Sequence, residues 1–503
     1  MPVTASQSNI VKRTQKTKSL NRGSCLLLLL LAGSIPHITM ADEPLKLETC
    51  ELTIPGTPIS EMAECGWFEV AENPADPTGR KIKLRVARVP AKDRTTEPDP
   101  LIFFAGGPGQ AATEAWPIVS HAIRKVNESR DILLVDQRGT GQSNALKCPE
   151  VELQEALSLD WDDLANTISE CLASIDGDPR FYTTSIAMQD IDAVRQALGY
   201  DQVNLFGGSY GTRAAQVYLR MFPDQVRSVV LDGVVPQTLA LGSEHAKKLD
   251  QAIYRVLDNC DKDPVCAELF PHSSASLNLL IETLAESPVE LTVAHPTTGE
   301  PITLKFDQDV LGSSLRFLTY SPDTQAMLPM LIHEAAIERS FERLASQILI
   351  AAGGLQQSIS QGMEMSVVCA EDVPFFNPDD DNSQYLMGDT MVKASNIQCD
   401  IWPRGEIPEG FHEPVSSEVP VLLLSGELDP VTPPEYANRV AEHFPNSRHL
   451  VASGQGHIVT TRGCTGRLVS EFIITASSAE LETECMSQMK LTPYFISLTG
   501  PTP

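Results

Sequence analysis

From about residue 100 the chain alternates short apolar runs with stretches in which apolar residues recur every three or four positions. The runs are Leu101–Phe104, Ile132–Val135, Val203–Phe206, Val229–Leu231, Val421–Leu424 and His449–Val451. Such runs, bounded by polar or turn-forming residues, read as strands of a buried sheet. Over Ser185–Leu198, Ala187, Ile191, Val194 and Leu198 share one helical face, with Ser185 placed to cap it and Gly199 to stop it. Strand alternating with helix predicts an α/β fold, a mostly parallel sheet covered by helices on both faces.

Two stretches depart from this texture. Upstream, "WFEVAEN" and "KIKLRVARV" alternate apolar and polar residues around "DPTG" (Asp76–Gly79), which predicts a β-hairpin. Between about 241 and 404, "SEHAKKLDQAIYRVLDNC", "SASLNLLIETLAE", "QAMLPMLIHEAAIERS" and "FERLASQILIAA" all read as helices. The expected organisation is a core in two parts, 42–240 and 405–503, with a helical cap, 241–404, inserted between them. No internal repeat or low-complexity tract is visible.

Residues 1–41 read as a cleaved signal peptide. Lys12, Arg13, Lys16, Lys18 and Arg22 form a basic start without acidic residues, "CLLLLLLAG" is the apolar core, and "TMA" precedes Asp42 like a cleavage site. The apolar stretch is too short for an ordinary membrane span, and none after it is long enough. The expectation is an exported protein, periplasmic or secreted, with no membrane partner. Its formal net charge of −28 argues against nucleic acid, which needs a basic surface. Of eleven cysteines, Cys25 falls within the signal segment. The remaining even number in an exported chain predicts disulfides. Spacing favours sequential neighbours: Cys50–Cys65, Cys148–Cys171, Cys260–Cys266, Cys369–Cys399 and Cys464–Cys485. No pair has zinc-type CxxC spacing, so neither a metal nor another cofactor is expected.

The most informative stretch is "VNLFGGSYGTRAAQVYLRMFP". A strand ends at Phe206, Gly207–Gly211 is G-x-S-x-G around Ser209, and a helix follows. This is the setting of a nucleophile elbow, where glycines let a serine sit on a sharp turn at a helix start. Serine needs a base, and the base needs an orienting acid. Asp429 follows the strand Val421–Leu424; one helix and one strand later comes "GQGH", ending at His457. The order Ser209, Asp429, His457 is that of α/β-hydrolases. Glu427 is a rival acid and His449 a rival base, the latter disfavoured by its place in or beside a strand. Upstream, "FFAGGPGQAA" leaves a strand through Gly106-Gly107-Pro108-Gly109. A phosphate-cradling loop would be followed by Lys-Ser/Thr, which is missing. The loop instead suits an oxyanion hole made by the N–H groups of Gly107 and Tyr210.

"GGPG", "DQRGTGQS", "GGSYGT", "LDGVVP" and "GELDPVTPP…GQGH" together resemble the prolyl and tripeptidyl aminopeptidase family of α/β-hydrolases, over nearly the whole chain after the signal. The resemblance implies an α/β-hydrolase core with an inserted helical cap. Simple prolyl iminopeptidases carry His before Gly-Gly-Pro-Gly and Trp after the serine. Here Ala105 and Tyr210 stand there, which, with the signal and cysteines, fits the exported tripeptidyl-type branch. An aminopeptidase must read a free α-ammonium, and a cap carboxylate is its natural partner. Similar exported relatives have an acid two positions after a cap cysteine, which points to Glu371, with Asp372 beside it. "DQRG" suggests that Asp136 and Arg138 brace the Gly107 loop. The expected activity is that of a serine exopeptidase acting on peptides with a free N-terminus. A secreted carboxylesterase or lipase with the same triad is the alternative, and a non-catalytic binding protein a remoter one. Oligomeric state is not legible.

Overall fold

The computed structural model describes residues 45–54, 57–151, 161–296, 298–497 and 499–501, with the backbone alone for 352–357. The expected signal peptide, 1–41, lies outside the described residues. The strands are β1 (Glu48–Thr53), β2 (Ser60–Ala71), β3 (Lys81–Val89), β4 (Leu101–Phe104), β5 (Ile132–Val135), β6 (Val203–Gly208), β7 (Val226–Asp232), β8 (Val289–Ala294), β9 (Pro301–Phe306), β10 (Val421–Gly426) and β11 (Ser447–Ala452). Helices of eight residues or more are α1 (Ala112–Ser120), α2 (Trp161–Ser174), α3 (Thr184–Ala197), α4 (Tyr210–Met221), α5 (His245–Lys262) and α6 (Ser273–Glu286). They continue with α7 (Gln308–Leu318), α8 (Glu342–Ser358), α9 (Gln361–Glu371), α10 (Thr390–Ile401), α11 (Pro434–Ala441) and α12 (Thr465–Thr475).

Nine strands form one sheet in the order β1-β2-β3-β5-β4-β6-β7-β10-β11. β1 to β3 are antiparallel and β3 meets β5 antiparallel; the pairs from β5 through β4, β6, β7 and β10 to β11 are parallel. The apolar runs are explained by burial on both faces. Ile102, Phe104, Leu133, Leu205 and Val229 pack on one side with Ala214, Ala215 and Tyr218 of α4. Leu101, Phe103, Leu134, Phe206 and Val230 pack on the other with Trp116 of α1 and Phe472 of α12. Consecutive residues of one strand thus enter opposite cores, the period of two that a strand imposes.

Between the end of β7 and the start of β10 the chain makes an inserted, largely helical region with its own apolar core, including Leu249, Ile253, Leu280, Leu315 and Leu331. It also contains a hairpin, β8–β9, which the helical reading of this stretch did not anticipate. Val293, Ile302 and Leu304 of the hairpin pack on Ala345 and Leu349 of α8, so the alternation in "VELTVA" and "PITLKF" is a true strand signal. α3 runs one residue earlier than expected and is entered from Thr183 rather than capped by Ser185.

Disulfides join Cys50–Cys65, Cys148–Cys171, Cys260–Cys266, Cys369–Cys399 and Cys464–Cys485. Among the described residues, no helix is long and apolar enough to cross a membrane, and no group of three or more His, Cys, Asp or Glu could hold a metal ion.

Candidate active site

Ser209 sits between β6 and α4 with φ 55° and ψ −125°, a conformation that costs a non-glycine residue energy and turns its side chain out of the sheet. The turn is this tight because strand, serine and helix start nearly touch. A Cβ on Gly211 would lie 2.2 Å from the Phe104 carbonyl oxygen. Tyr210 opens α4, so its N–H belongs to the helix's first, unsatisfied turn. The glycine loop comes equally close: a Cβ on Gly106 would meet the Ser209 Cβ at 3.2 Å. The Ser360 N–H, just before α9, donates to the Gly109 carbonyl at 3.0 Å, tying this loop to the inserted region.

Asp429 and His457 come together as their order predicts. His457 Nδ1 lies 2.8 Å from Asp429 Oδ2, so Nε2 is the ring nitrogen that the acid does not engage. Asp429 is held in turn: Oδ1 accepts the N–H groups of Val431 and Thr432 at 2.9 and 2.8 Å, and Oδ2 accepts the Thr432 hydroxyl at 2.7 Å. Burial alone would raise the Asp429 carboxyl. The adjacent His457 ring and the Thr432 hydrogen bonds hold it below the usual range. Burial likewise pulls the His457 imidazole down, but the Asp429 carboxylate outweighs this and raises it. The His457 backbone N–H donates to the Tyr320 carbonyl at 2.8 Å, and the Tyr320 ring stands edge-on at 5.2 Å, so the inserted region also positions His457.

The rivals have other partners. His449 Nδ1 meets Asn438 Oδ1 at 2.8 Å and its Nε2 meets the Ser425 hydroxyl at 3.0 Å. Glu427 accepts the Ser453 hydroxyl and the Gly454 N–H at 2.7 and 2.9 Å, bracing a turn. Asp136 accepts the Thr113 N–H and hydroxyl at 2.9 and 3.0 Å, fixing the start of α1 just past the glycine loop. Arg138 does not touch that loop. It pairs with Asp190 of α3 at 2.7 Å and bonds the Glu72 and Phe181 carbonyls, joining β2 to α3.

A cleft opens above Ser209. Its floor is Gly107, Pro108, Tyr210, Val431 and Thr432, and its walls come from the inserted region: His245 of α5, Arg316 of α7, Glu364 of α9 and Gln398 of α10 among others. Glu371 and Asp372 are not on these walls, which corrects the expectation that they face the substrate. They lie two turns or about 10 Å beyond Glu364 along α9 and its end, past the cleft and inside the protein. Both are fully buried. Glu371 accepts the Thr184 N–H and hydroxyl at 2.6 and 2.8 Å, and that hydroxyl meets the Tyr210 OH at 2.6 Å. Burial pushes its carboxyl up to about 7, with Arg213 opposing. Asp372 pairs with Arg213 at 2.8 Å and accepts the Leu241 N–H at 2.7 Å. These two acids support the floor under Tyr210.

Glu364 is the cleft carboxylate that sequence reasoning missed. Among the described residues its side chain makes no hydrogen bond; burial raises its carboxyl, and Arg316 pulls it back. No local motif marks it: only the helical phase of α9, which turns Met365 and Val368 to the same cleft, separates it from other glutamates.

The family model for the alpha/beta hydrolase fold matches residues 99–460. Serine protease Hip1 of Mycobacterium tuberculosis H37Rv is 24% identical over 487 residues, covering 88% of this chain and 91% of its own. The tripeptidyl aminopeptidase of Streptomyces coelicolor is 32% identical over 198 residues, 35% of this chain and 36% of its own. The proline iminopeptidase of Aeromonas sobria is 29% identical over 213 residues, 42% of this chain and 45% of its own.

Proposed function

The chain belongs to the alpha/beta hydrolase fold family, and we propose that it is an exported serine exopeptidase of that family, releasing residues or short peptides from the free N-terminus of peptides. The observation that carries this reading is the Glu364 carboxylate, without a hydrogen bond among the described residues, on the wall of the cleft whose floor holds Ser209. A hydrolase of plain acyl esters has no use for a half-buried carboxylate there, whereas an α-ammonium would satisfy it. Glu364 takes the role first assigned to Glu371 and Asp372. The names of the partial relatives, tripeptidyl aminopeptidase and proline iminopeptidase, support the same class. The disulfides support an oxidising compartment, outside the cytosol.

In this mechanism Ser209 attacks the scissile carbonyl and His457 Nε2 takes its proton. Asp429 fixes the imidazole tautomer and stabilises the imidazolium, and the N–H groups of Gly107 and Tyr210 hold the oxyanion. The imidazolium then protonates the leaving amine. Water, deprotonated by the same imidazole, hydrolyses the acyl-enzyme. In this reading the inserted region, which supplies Glu364 and the other cleft walls, limits how much chain fits beyond the amine. No cofactor is invoked.

Incubating the protein with a peptide library, half of it N-acetylated, and reading products by mass spectrometry tests this. Free-amine peptides should be trimmed from the N-terminus and acetylated ones spared. A fluorophosphonate probe should label Ser209 and not the Ser209→Ala variant. Equal cleavage of acetylated peptides would remove the exopeptidase reading, and faster turnover of simple acyl esters than of any peptide would favour the esterase.

A further inference from the structure

His245, the first residue of α5, lines the cleft but takes no part in the Ser209, His457 and Asp429 relay. It is 9% exposed, and neither ring nitrogen has a hydrogen-bond partner among the described residues. Buried nitrogens are nearly always satisfied, so two unpaired on one ring at a cleft wall, both closed to solvent as the ring lies, mark a group that gains its partners when a ligand turns the ring into the cleft. Burial, with the charges of Arg316 and His457, pushes this imidazole down to about 3, so it is neutral at working pH. A neutral imidazole presents one N–H donor and one lone-pair acceptor. On the same walls Arg316 can only donate and an ionised Glu364 can only accept, whereas Gln398 and Ser395, like His245, can do both. What sets His245 apart from them is that both of its polar atoms are buried without a partner among the described residues, so it is matched to something that both accepts and donates.

We propose that His245 binds the backbone of the substrate, donating to one carbonyl and accepting from one amide N–H of the residues held in the cleft. This rests on the exopeptidase reading and deepens it. An ester linkage has no N–H, so His245 would select peptide chains over depsipeptides at that one linkage. The cleft then reads a peptide twice, by its ammonium at Glu364 and by its backbone at His245.

The test uses a good peptide substrate and analogues in which each non-scissile amide is replaced in turn by an ester. In the wild-type protein one replacement should lower kcat/KM by about 5- to 150-fold, the cost of leaving a buried acceptor unpaired. In His245→Phe that ratio should collapse towards one. His245→Gln, which keeps a donor and an acceptor, should restore part of it. Fluorophosphonate titration counts active sites in each preparation, so that ratios refer to folded protein. Loss of two unpaired nitrogens should leave Tm unchanged or raised in His245→Phe. A large fall in Tm in both His245→Phe and His245→Leu would make the ring structural and overturn the proposal. So would an unchanged amide-to-ester ratio in either variant, with peptide cleavage intact. If the wild type cleaves no free-amine peptide, the exopeptidase reading fails and this inference with it.

Discussion

The backbone carbonyl of Asp232 accepts the Ser209 N–H at 2.9 Å. The Asp232 carboxylate meanwhile accepts the N–H groups of Val459 and Thr460, at 3.0 and 2.8 Å, and the Thr460 hydroxyl at 2.6 Å. One fully buried residue at the end of β7 therefore fixes both the elbow and the loop that carries His457. The loop needs fixing, because Ile458 stands at φ 63°, a left-handed conformation that a β-branched residue adopts only when its surroundings impose it.

Asp232→Asn should test this bracket. The amide keeps one oxygen and places an NH2 against donors, so a charge-assisted hydrogen bond worth about 1.5–3 kcal/mol is lost. The expected result is a lower Tm and a kcat/KM reduced about 10- to 150-fold, with slower fluorophosphonate labelling of Ser209. Wild-type rate and Tm together would show that the bracket is idle.

The pH profile follows from His457. In the proposed mechanism His457 must be neutral to take the serine proton, and Asp429 raises its folded value above the ordinary 6.5 in spite of burial. kcat/KM should therefore fall on the acid side with a midpoint above pH 6.5. The stability contribution has the opposite sense: the His457–Asp429 attraction is fully present below the unfolded value and is lost as pH rises through the folded one. An acid limb centred below 6, measured with substrate well under KM, would mean that another group limits the rate.

The strands, the elbow and the Asp429 to His457 interval were legible because each depends on local pattern: buried runs, glycines at a crowded turn, and one helix plus one strand between acid and base. Asp232, Thr432, Tyr320 and Glu364 were not legible in the same way. Asp232 lies in the quoted "LDGVVP", but its role depends on β7 lying beside β6, a long-range pairing. Glu364 and Glu371 show the limit most clearly. They share a stripe of α9, and spacing from Cys369 drew attention to the wrong one. Which of them faces the cleft depends on where the helix crosses the core, and no window of sequence records that.

The Cys369–Cys399 disulfide joins α9 to α10, two walls of the cleft. Replacing both cysteines by serine should cost about 2–4 kcal/mol of stability, by restoring freedom to the unfolded chain. It should also raise KM for free-amine peptides more than it lowers kcat, since Ser209, His457 and Asp429 stand on other elements. Peptide mapping without reductant must first find this bridge in the wild type. A KM unchanged by the double replacement would show that the walls hold their spacing without it.

The sharpest separation of roles is between Glu364 and Glu371. Glu371 is fully buried and hydrogen-bonded by Thr184, so Glu371→Gln should lower stability while leaving selectivity for the free amine nearly intact. Glu364 makes no hydrogen bond among the described residues and faces the cleft, so Glu364→Gln should leave Tm unchanged or raised. Its effect should fall on substrate. A hydrogen bond between an ammonium and a carboxylate contributes about 1.5–3 kcal/mol, so kcat/KM for free-amine peptides should drop about 10- to 150-fold. Acetylated peptides, which carry no charge to read, should be cut at much the same low rate by wild type and variant. The ratio of the two substrates is therefore the decisive number, and measuring it in both variants needs no structure. Collapse of that ratio in Glu364→Gln alone assigns the amine to α9's cleft face. Collapse in Glu371→Gln with Glu364→Gln unaffected would mean that the interior acid reaches substrate after all, through a movement of Tyr210 and Thr184.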